Sequence, residues 1–102
     1  MIIKKDKKNY LIPNPKTAQG YNCYICGRRA ENLHHCIFGN GKRKISDREG
    51  LVVALCSACH HNIHHYHTHD KELKAMAQEV WLEHHDQDRK KWYSMFYKFF
   101  DL

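Results

Sequence analysis

The stretch from Cys56 to His65 concentrates the residues of this chain that could do chemistry. It contains two cysteines and four histidines within ten residues. Cys56 and Cys59 are separated by two residues, a spacing that lets one turn direct both sulfurs at a single zinc ion. His60 and His64 lie four residues apart, so on a helix they share one face and can bind a second ion together. One short helix would therefore serve two metals, with thiolates at its N-terminus and imidazoles along its side.

A second pair of cysteines has the same spacing. Cys23 and Cys26 precede Gly27, which permits the tight turn of a zinc knuckle because it has no side chain. Together with Cys56 and Cys59 they supply the four sulfurs of a tetrahedral zinc site, which is closed and therefore structural. Zinc binding at such a site contributes directly to the free energy of folding.

The chain has five cysteines, so one is left over. Cys36 lies in a short apolar segment beside two histidines. We expect it to be a small buried hydrophobe, with a role as a metal ligand as the alternative. No apolar stretch near Met1 is long enough for a signal peptide, so we expect a cytoplasmic protein. In that compartment paired cysteines indicate metal ligands rather than disulfides.

Size and charge narrow the classes of function. With 102 residues the chain is expected to form one domain with a modest core, and a domain this small commonly needs a metal or disulfides. No run of about 20 apolar residues predicts a membrane span. The net charge of +6 favours a polyanionic partner, although charge alone does not identify nucleic acid.

Two short apolar segments predict an antiparallel hairpin. Residues 33–38 and 51–55 have strand length and composition, and a basic loop separates them. A helix is expected to begin near Cys56 or Ser57. The pattern predicts a small zinc-stabilised α+β domain with C-terminal helices. Its parts are a basic arm and linker at 1–20, a zinc-bound core at 21–66 and a helical extension at 67–102.

The extension carries two apolar stripes at helical spacing, which we expect to be core. Thr68 or Asp70 is expected to cap the first helix, and a break follows near residues 84–86. The second helix is expected at about 88–98. The apolar stripes comprise Leu73, Met76, Ala77, Val80 and Trp81, then Trp92, Met95, Phe96 and Phe99. The polar face of the first helix comprises Lys71, Glu72, Lys74, Gln78 and Glu79.

Basic side chains on the knuckle and in the loop between the predicted strands are candidate phosphate contacts. Such contacts position a nucleic-acid backbone and carry little sequence information. The alternative is a solvated run of charges. The candidates are Lys42, Arg43, Lys44 and Arg48 in the loop between the strands, and Arg28 and Arg29 on the knuckle.

The combined motif resembles the HNH nucleases, whose fold is called ββα-metal and is treble-clef-like. Leu33-His34-His35 matches the first strand, and Leu55-Cys56 through Cys59-His60 to His64 matches the second strand and helix. The variant with a four-cysteine zinc site is similar, as are small phage and prophage members of the family. The resemblance covers about residues 21–66.

The resemblance implies a role for each histidine. His34 would bind the catalytic ion together with His60 and His64, and His35 would be the general base. Adjacent residues of a strand face opposite sides, so His34 and His35 cannot both bind one ion in a regular strand. A neutral imidazole with a pKa near neutrality suits removal of a proton from water.

The resemblance also implies a reaction and its partners. The reaction would be hydrolysis of phosphodiester bonds in DNA, with structural zinc and one divalent catalytic ion: Mn, Mg, Ni or Zn. A phage or prophage protein of this kind, acting in a bacterial cell, would serve recombination or DNA processing, with a phage or host recombination protein as a further partner. The sequence leaves the oligomeric state open.

One family position has no clear counterpart here. The middle Asn, which braces the loop, is replaced by Gly50, while Asn40 lies early in the loop and Asn62 lies on the helix. Two other functions therefore remain open. One is a non-catalytic zinc module that binds nucleic acid by charge, and the other is an interaction domain without a nucleic-acid partner.

Overall fold

The computed structural model of the protein describes residues 11–12, 17–39 and 41–101, and six helices and strands lie within these ranges. Most of the predicted arm and linker, and Asn40, lie outside these residues. The elements are β1 (Asn32–His35), α1 (Lys42–Arg48), β2 (Val52–Leu55), α2 (Ser57–Tyr66), α3 (Asp70–Glu83) and α4 (Arg89–Phe96).

The predicted antiparallel pairing of two strands is confirmed. β1 and β2 form a two-stranded sheet in which His34 pairs with Val53 and His35 pairs with Val52. β1 is shorter than the predicted 33–38 segment. Beyond it, the buried Ser46 hydroxyl donates to the Ile37 carbonyl oxygen and accepts from the Ile37 N–H, so this side chain replaces the ladder bonds of a longer strand.

The prediction of a basic loop between the strands is wrong, because Lys42–Arg48 forms the helix α1. Lys and Arg have high helix propensity, and Gly41 precedes the helix in the left-handed region at φ 83°. Ile45 packs against the core and Ser46 is fully buried. Burial of this one face explains why a seven-residue helix forms here, since so short a helix is marginal without tertiary packing.

The predicted start of α2 is confirmed, directly after β2. Cys56 is the N-cap, and its Sγ accepts a hydrogen bond from the Cys59 N–H at 3.4 Å. The Glu31 carboxylate accepts from the Ser57 N–H at 2.9 Å, so a second free donor of the first turn is satisfied. Ile63 is fully buried and anchors α2 on the core. Because Ile63 faces the core, the histidines of α2 lie on the other faces of the helix.

The predicted break and final helix follow α3, but two details of α3 differ from the predictions. Its N-cap is His69 in the left-handed region, with no side-chain cap, so neither Thr68 nor Asp70 caps the helix. Gln78 is buried rather than solvent-exposed. Its amide donates to Asp101 Oδ1 at 2.6 Å and accepts from the Phe100 N–H at 2.6 Å, which holds the C-terminal segment against α3.

The apolar stripes of α3 and α4 pack into the same core as the sheet and α2. The rings of Trp81 and Trp92 are both fully buried, with centroids 5.6 Å apart. Trp81 Nε1 donates to the Glu49 carboxylate at 2.9 Å and Trp92 Nε1 donates to the Lys98 carbonyl at 3.0 Å, so neither buried N–H is left unsatisfied. Within the described ranges, every helix is too short or too polar to cross a membrane.

Candidate metal centres

Four cysteines come together where the knuckle meets the start of α2. The Sγ atoms of Cys23, Cys26, Cys56 and Cys59 all lie within 4.8 Å of one another, and those of Cys26 and Cys56 are 3.6 Å apart. In a tetrahedral site with Zn–S bonds of about 2.3 Å, two sulfurs are separated by about 3.8 Å. The four cysteines could therefore hold a structural metal ion such as zinc.

Two turns of the same design present the sulfurs. Cys23 Sγ accepts from the Cys26 N–H at 3.5 Å, just as Cys56 Sγ accepts from the Cys59 N–H. The knuckle is closed by the Gly27 N–H, which donates to the Cys23 carbonyl at 3.0 Å. Gly27 has φ 83°, a conformation that favours glycine, as the sequence predicted.

The protonation of these thiols depends on their neighbours. Burial raises the pKa of Cys23, but backbone hydrogen bonds at Cys26, Cys56 and Ile25 outweigh it and lower that pKa to about 6. Burial, followed by hydrogen bonds among the clustered sulfurs, raises the pKa of Cys59 to about 12. A bound cation would favour deprotonation of all four sulfurs, because a thiol that coordinates a metal does so as the thiolate.

Cys36 lies outside this cluster. It is fully buried, and burial, followed by the negative charge of Asp70, raises its pKa to about 12. The prediction of a small buried hydrophobe is confirmed.

Three imidazoles meet on the side of α2 that faces β1. Ligand nitrogens of His34, His60 and His64 lie within 4.8 Å of one another. The Nε2 atoms of His60 and His64 are 3.2 Å apart. Two nitrogens bound to one zinc at about 2.0–2.1 Å in tetrahedral geometry are separated by about 3.4 Å. This spacing fits a metal ion without rearrangement of α2.

The His34 side chain adds a second indication of a ligand. It is only 1% exposed, and its Nε2 atom is buried without a hydrogen-bond partner among the described residues. Burial, followed by the charges of His60 and His64, lowers the pKa of His34 to about 3. Burial likewise lowers the pKa of His60, with His64 as the next cause. The lowered pKa values of His34 and His60 favour their neutral rings, which offer the lone pairs that a metal requires.

His35 lies in the same cavity, next to an acidic side chain that sequence reasoning missed. Asp47 Oδ1 is 3.5 Å from His35 Nε2. Burial and the positive charge of Arg43 lower the pKa of His35, while Asp47 opposes this shift. The sequence pattern does not predict the contact between Asp47 and His35, because only the folding of α1 brings the Asp47 carboxylate to β1.

Phe38 and Lys74 complete the surroundings of the imidazoles. The Phe38 ring centroid lies 5.8 Å from that of His34 and 5.3 Å from that of His64. Lys74 Nζ lies 4.8 Å from the Phe38 centroid. The spacing of Lys74 in α3 predicts a surface residue, and its position next to the imidazole site depends on tertiary packing.

The imidazoles line an open cavity of about 410 Å³ together with one of the six predicted phosphate contacts, Arg43. Arg48 is held elsewhere, by the Glu49 carboxylate at 2.9 Å and by Met95 Sδ at 3.5 Å. The other four do not line this cavity: Lys42, Lys44, Arg28 and Arg29.

The remaining histidines of α2 belong to neither cluster. His61 and His65 are exposed and stack on each other, with ring centroids 4.0 Å apart. Both imidazoles are therefore open to solvent and lie apart from the His34 site.

No family model, curated protein or solved structure matches this chain. The function is therefore inferred from the geometry of the site and from the motifs that the sequence contains.

Proposed function

We propose that this protein is a metal-dependent DNA endonuclease of the HNH, or ββα-metal, type. The convergence of His34, His60 and His64, with His35 in the same cavity, carries the proposal. The chain order of β1, β2 and α2 also supports it, because that is the order the fold requires. The cluster of four cysteines, which joins the knuckle to the start of α2, agrees with the zinc-containing variant.

The three imidazoles would hold the divalent ion. The spacing of their nitrogens and the unpartnered Nε2 of His34 fit such an ion. Three ligands leave positions open for water and substrate, unlike the four sulfurs. An ion bound there would act as a Lewis acid for the charge that develops on the phosphate and on the leaving 3′ oxygen. Imidazole ligands favour manganese, nickel or zinc, whereas magnesium prefers oxygen ligands.

His35 would be the general base. Its lowered pKa keeps the ring neutral at physiological pH. The Asp47 carboxylate next to Nε2 favours the tautomer with hydrogen on that nitrogen. Nδ1 then carries the lone pair that accepts a proton from the attacking water. Attack on phosphorus would leave products with 5′-phosphate and 3′-hydroxyl ends.

The charge of the protein supports DNA as the substrate. Arg43 lines the cavity and can contact a phosphate beside the reacting one. The net charge of +6 favours a polyanionic substrate such as DNA. A phage or prophage origin and a role in recombination or DNA processing, in the cytoplasm of a bacterial host, are part of the same proposal.

The test is nicking of supercoiled plasmid by zinc-loaded protein with added manganese, nickel, zinc or magnesium. We expect His35→Ala to lower the nicking rate by about 10²- to 10⁴-fold, the usual contribution of a general base, while metal content stays at two ions per chain. His61→Ala, which removes an exposed imidazole of α2, is the control and should keep full activity.

The alternative is a non-catalytic zinc module that binds nucleic acid through the exposed basic residues of α1. It predicts that His35→Ala changes nothing, while substitution of Lys42, Arg43 and Lys44 abolishes binding. A wild-type protein that binds DNA but cuts it with none of the four metals would favour this alternative over the nuclease.

A further inference from the structure

A basic groove lies between α3 and the segment that follows α4. Its volume is about 450 Å³, within the range of ligand-binding pockets. The groove is lined by Asp70, Lys71, Lys74, Lys98, Phe99, Phe100 and Asp101. We call this the lysine groove.

The lysine groove has an excess of positive charge. The Lys74 and Lys98 Nζ atoms lie 5.8 and 5.6 Å from the Phe100 ring centroid, so two ammonium groups share one aromatic ring. Each of its two carboxylates forms an ion pair through one oxygen, while Asp70 Oδ1 has no hydrogen-bond partner among the described residues. Asp70 binds Lys74 at 3.0 Å, and Asp101 binds Arg89 at 3.0 Å.

The remaining ammonium groups are available to a ligand. Lys71 and Lys98 form no ion pair with any residue in the described ranges. An anion is therefore the ligand that the charge of the groove fits.

The groove is next to the imidazole cavity. Lys74 lines the groove and its Nζ is 4.8 Å from the Phe38 ring, which in turn lies 5.3 Å from the His64 ring. Phe38 also lines the imidazole cavity. Because successive nucleotides of a strand in B-DNA rise about 3.4 Å, a strand with a phosphate in the cavity reaches the groove within a few nucleotides.

The opposite side of the C-terminal segment has a different charge. A cleft of about 420 Å³ there is bordered by Glu79 and Glu83 as well as by Asp101, with Arg89 as its one basic residue among those described. Like charge would repel a phosphate backbone from this cleft. The lysine groove is therefore the favourable path along this segment.

We propose that the lysine groove binds an unpaired nucleotide of the strand that is cut at the imidazole site, an inference that rests on the proposed nuclease function. Sites for single strands combine a positive groove with aromatic rings on which bases stack. Phe100 would take the base here, because the Arg89 guanidinium already lies 4.2 Å from the ring centroid of Phe99. A duplex keeps its bases stacked inside and would leave the Phe100 ring unused. The substrate class is then single-stranded DNA, or branched DNA with an unpaired segment beside the cut.

The first test uses binding, so that it does not depend on cleavage. The zinc-loaded His35→Ala protein is titrated with a fluorescent 12-nucleotide single strand and with a blunt duplex, and anisotropy is measured at several salt concentrations. Adding Lys71→Ala and Lys98→Ala should weaken single-strand binding about tenfold or more and duplex binding less than twofold. The slope of log K against log salt should fall by about 1.4, for two lost phosphate contacts on a single strand.

The matched control removes the same charge from α4, with Lys90→Ala and Lys91→Ala. Neither residue lines the groove, so single-strand affinity and salt slope should stay within twofold and 0.3, respectively, of the parent protein, with about 0.7 expected per phosphate contact. An equal loss in the control would mean that only net charge matters, and an equal loss on duplex would mean that the groove binds paired DNA. Either result overturns the proposal.

A second test examines stacking. Phe100→Leu keeps an apolar side chain but removes the ring, and should weaken binding of the normal oligonucleotide about tenfold. Binding of an abasic oligonucleotide of the same length should not change. Equal weakening of both would assign the ring a structural role and contradict the stacking contact. If these binding results hold while the wild-type protein cuts nothing, the nuclease function fails and the single-strand site stands.

Discussion

The two candidate metal clusters share α2 but differ in how many ligands they offer. Four sulfurs join the knuckle to the first turn of α2, whereas three imidazoles join β1 to the side of the same helix. Four thiolates complete a tetrahedral zinc site, and three imidazoles do not. The number of ligands, rather than the helix that carries them, thus distinguishes a set that would close the coordination of zinc from a set that would leave a position open.

The two clusters also differ in the groups that surround them. The sulfurs of Cys23 and Cys56 accept hydrogen bonds from backbone N–H groups of their own turns, which orient them and, at Cys23, favour the thiolate. The imidazoles adjoin His35 and Asp47, and a cavity opens beside them. A cavity with further ionisable side chains therefore lies at the cluster that would leave a metal position open.

The largest expected effect comes from the sulfur cluster. Cys56→Ser should abolish cooperative unfolding, since structural zinc contributes about 10–16 kcal/mol and a whole domain is stable by only about 5–15 kcal/mol. Thermal unfolding followed by circular dichroism measures this. Cys36→Ala, at the buried cysteine outside the cluster, should keep zinc and cost about 1 kcal/mol. A Cys56→Ser protein with a wild-type melting curve would show that this cluster does not hold the fold together.

A smaller effect on the fold is expected at the imidazole cluster. His64→Ala should lose one of two bound ions and all nicking activity, while the melting temperature shifts by about 4 °C or less, as for other surface substitutions. Metal content by mass spectrometry and a melting curve measure both quantities. His65→Ala changes the next residue, which stacks on His61, and should retain two ions. Retention of both ions by His64→Ala would remove the distinction between the clusters.

The smallest effect is expected beside the open site. Asp47→Asn should leave both ions in place and lower kcat for nicking by about ten- to a hundredfold, because the amide no longer fixes the tautomer of His35. KM for DNA should not rise, and Asp47→Glu should restore part of the rate. Asp86→Asn removes an exposed carboxylate away from the cavity and is the control. A change in KM alone would indicate that Asp47 acts on DNA binding instead.

The two cysteine pairs and the pair of His60 and His64 could be predicted because the members of each pair are close in the chain, whereas the place of His34 followed only from the resemblance to a known family. A two-residue gap between cysteines and a four-residue spacing of histidines on a helix are local patterns, and the strand pair and α2 have local apolar patterns as well. Asp47, Lys74 and Gln78 were not predicted, because each acquires its role only from tertiary packing. The helix α1 was not predicted for a related reason. Only Ile45 and Ser46 of this helix pack inward, and two adjacent residues are too few to show helical periodicity.

Cys59 and His60 are consecutive residues, so no flexible linker separates the sulfur ligands from the nitrogen ligands. A change in the backbone of the first turn of α2 would therefore also move His60. Zinc that orders this turn should tighten the binding of an ion by the imidazoles. Because coupling between two binding equilibria is reciprocal, that ion should in turn tighten the binding of zinc by the sulfurs. Transfer of zinc to a chelator should therefore slow when manganese is present, and this slowing should disappear in His64→Ala.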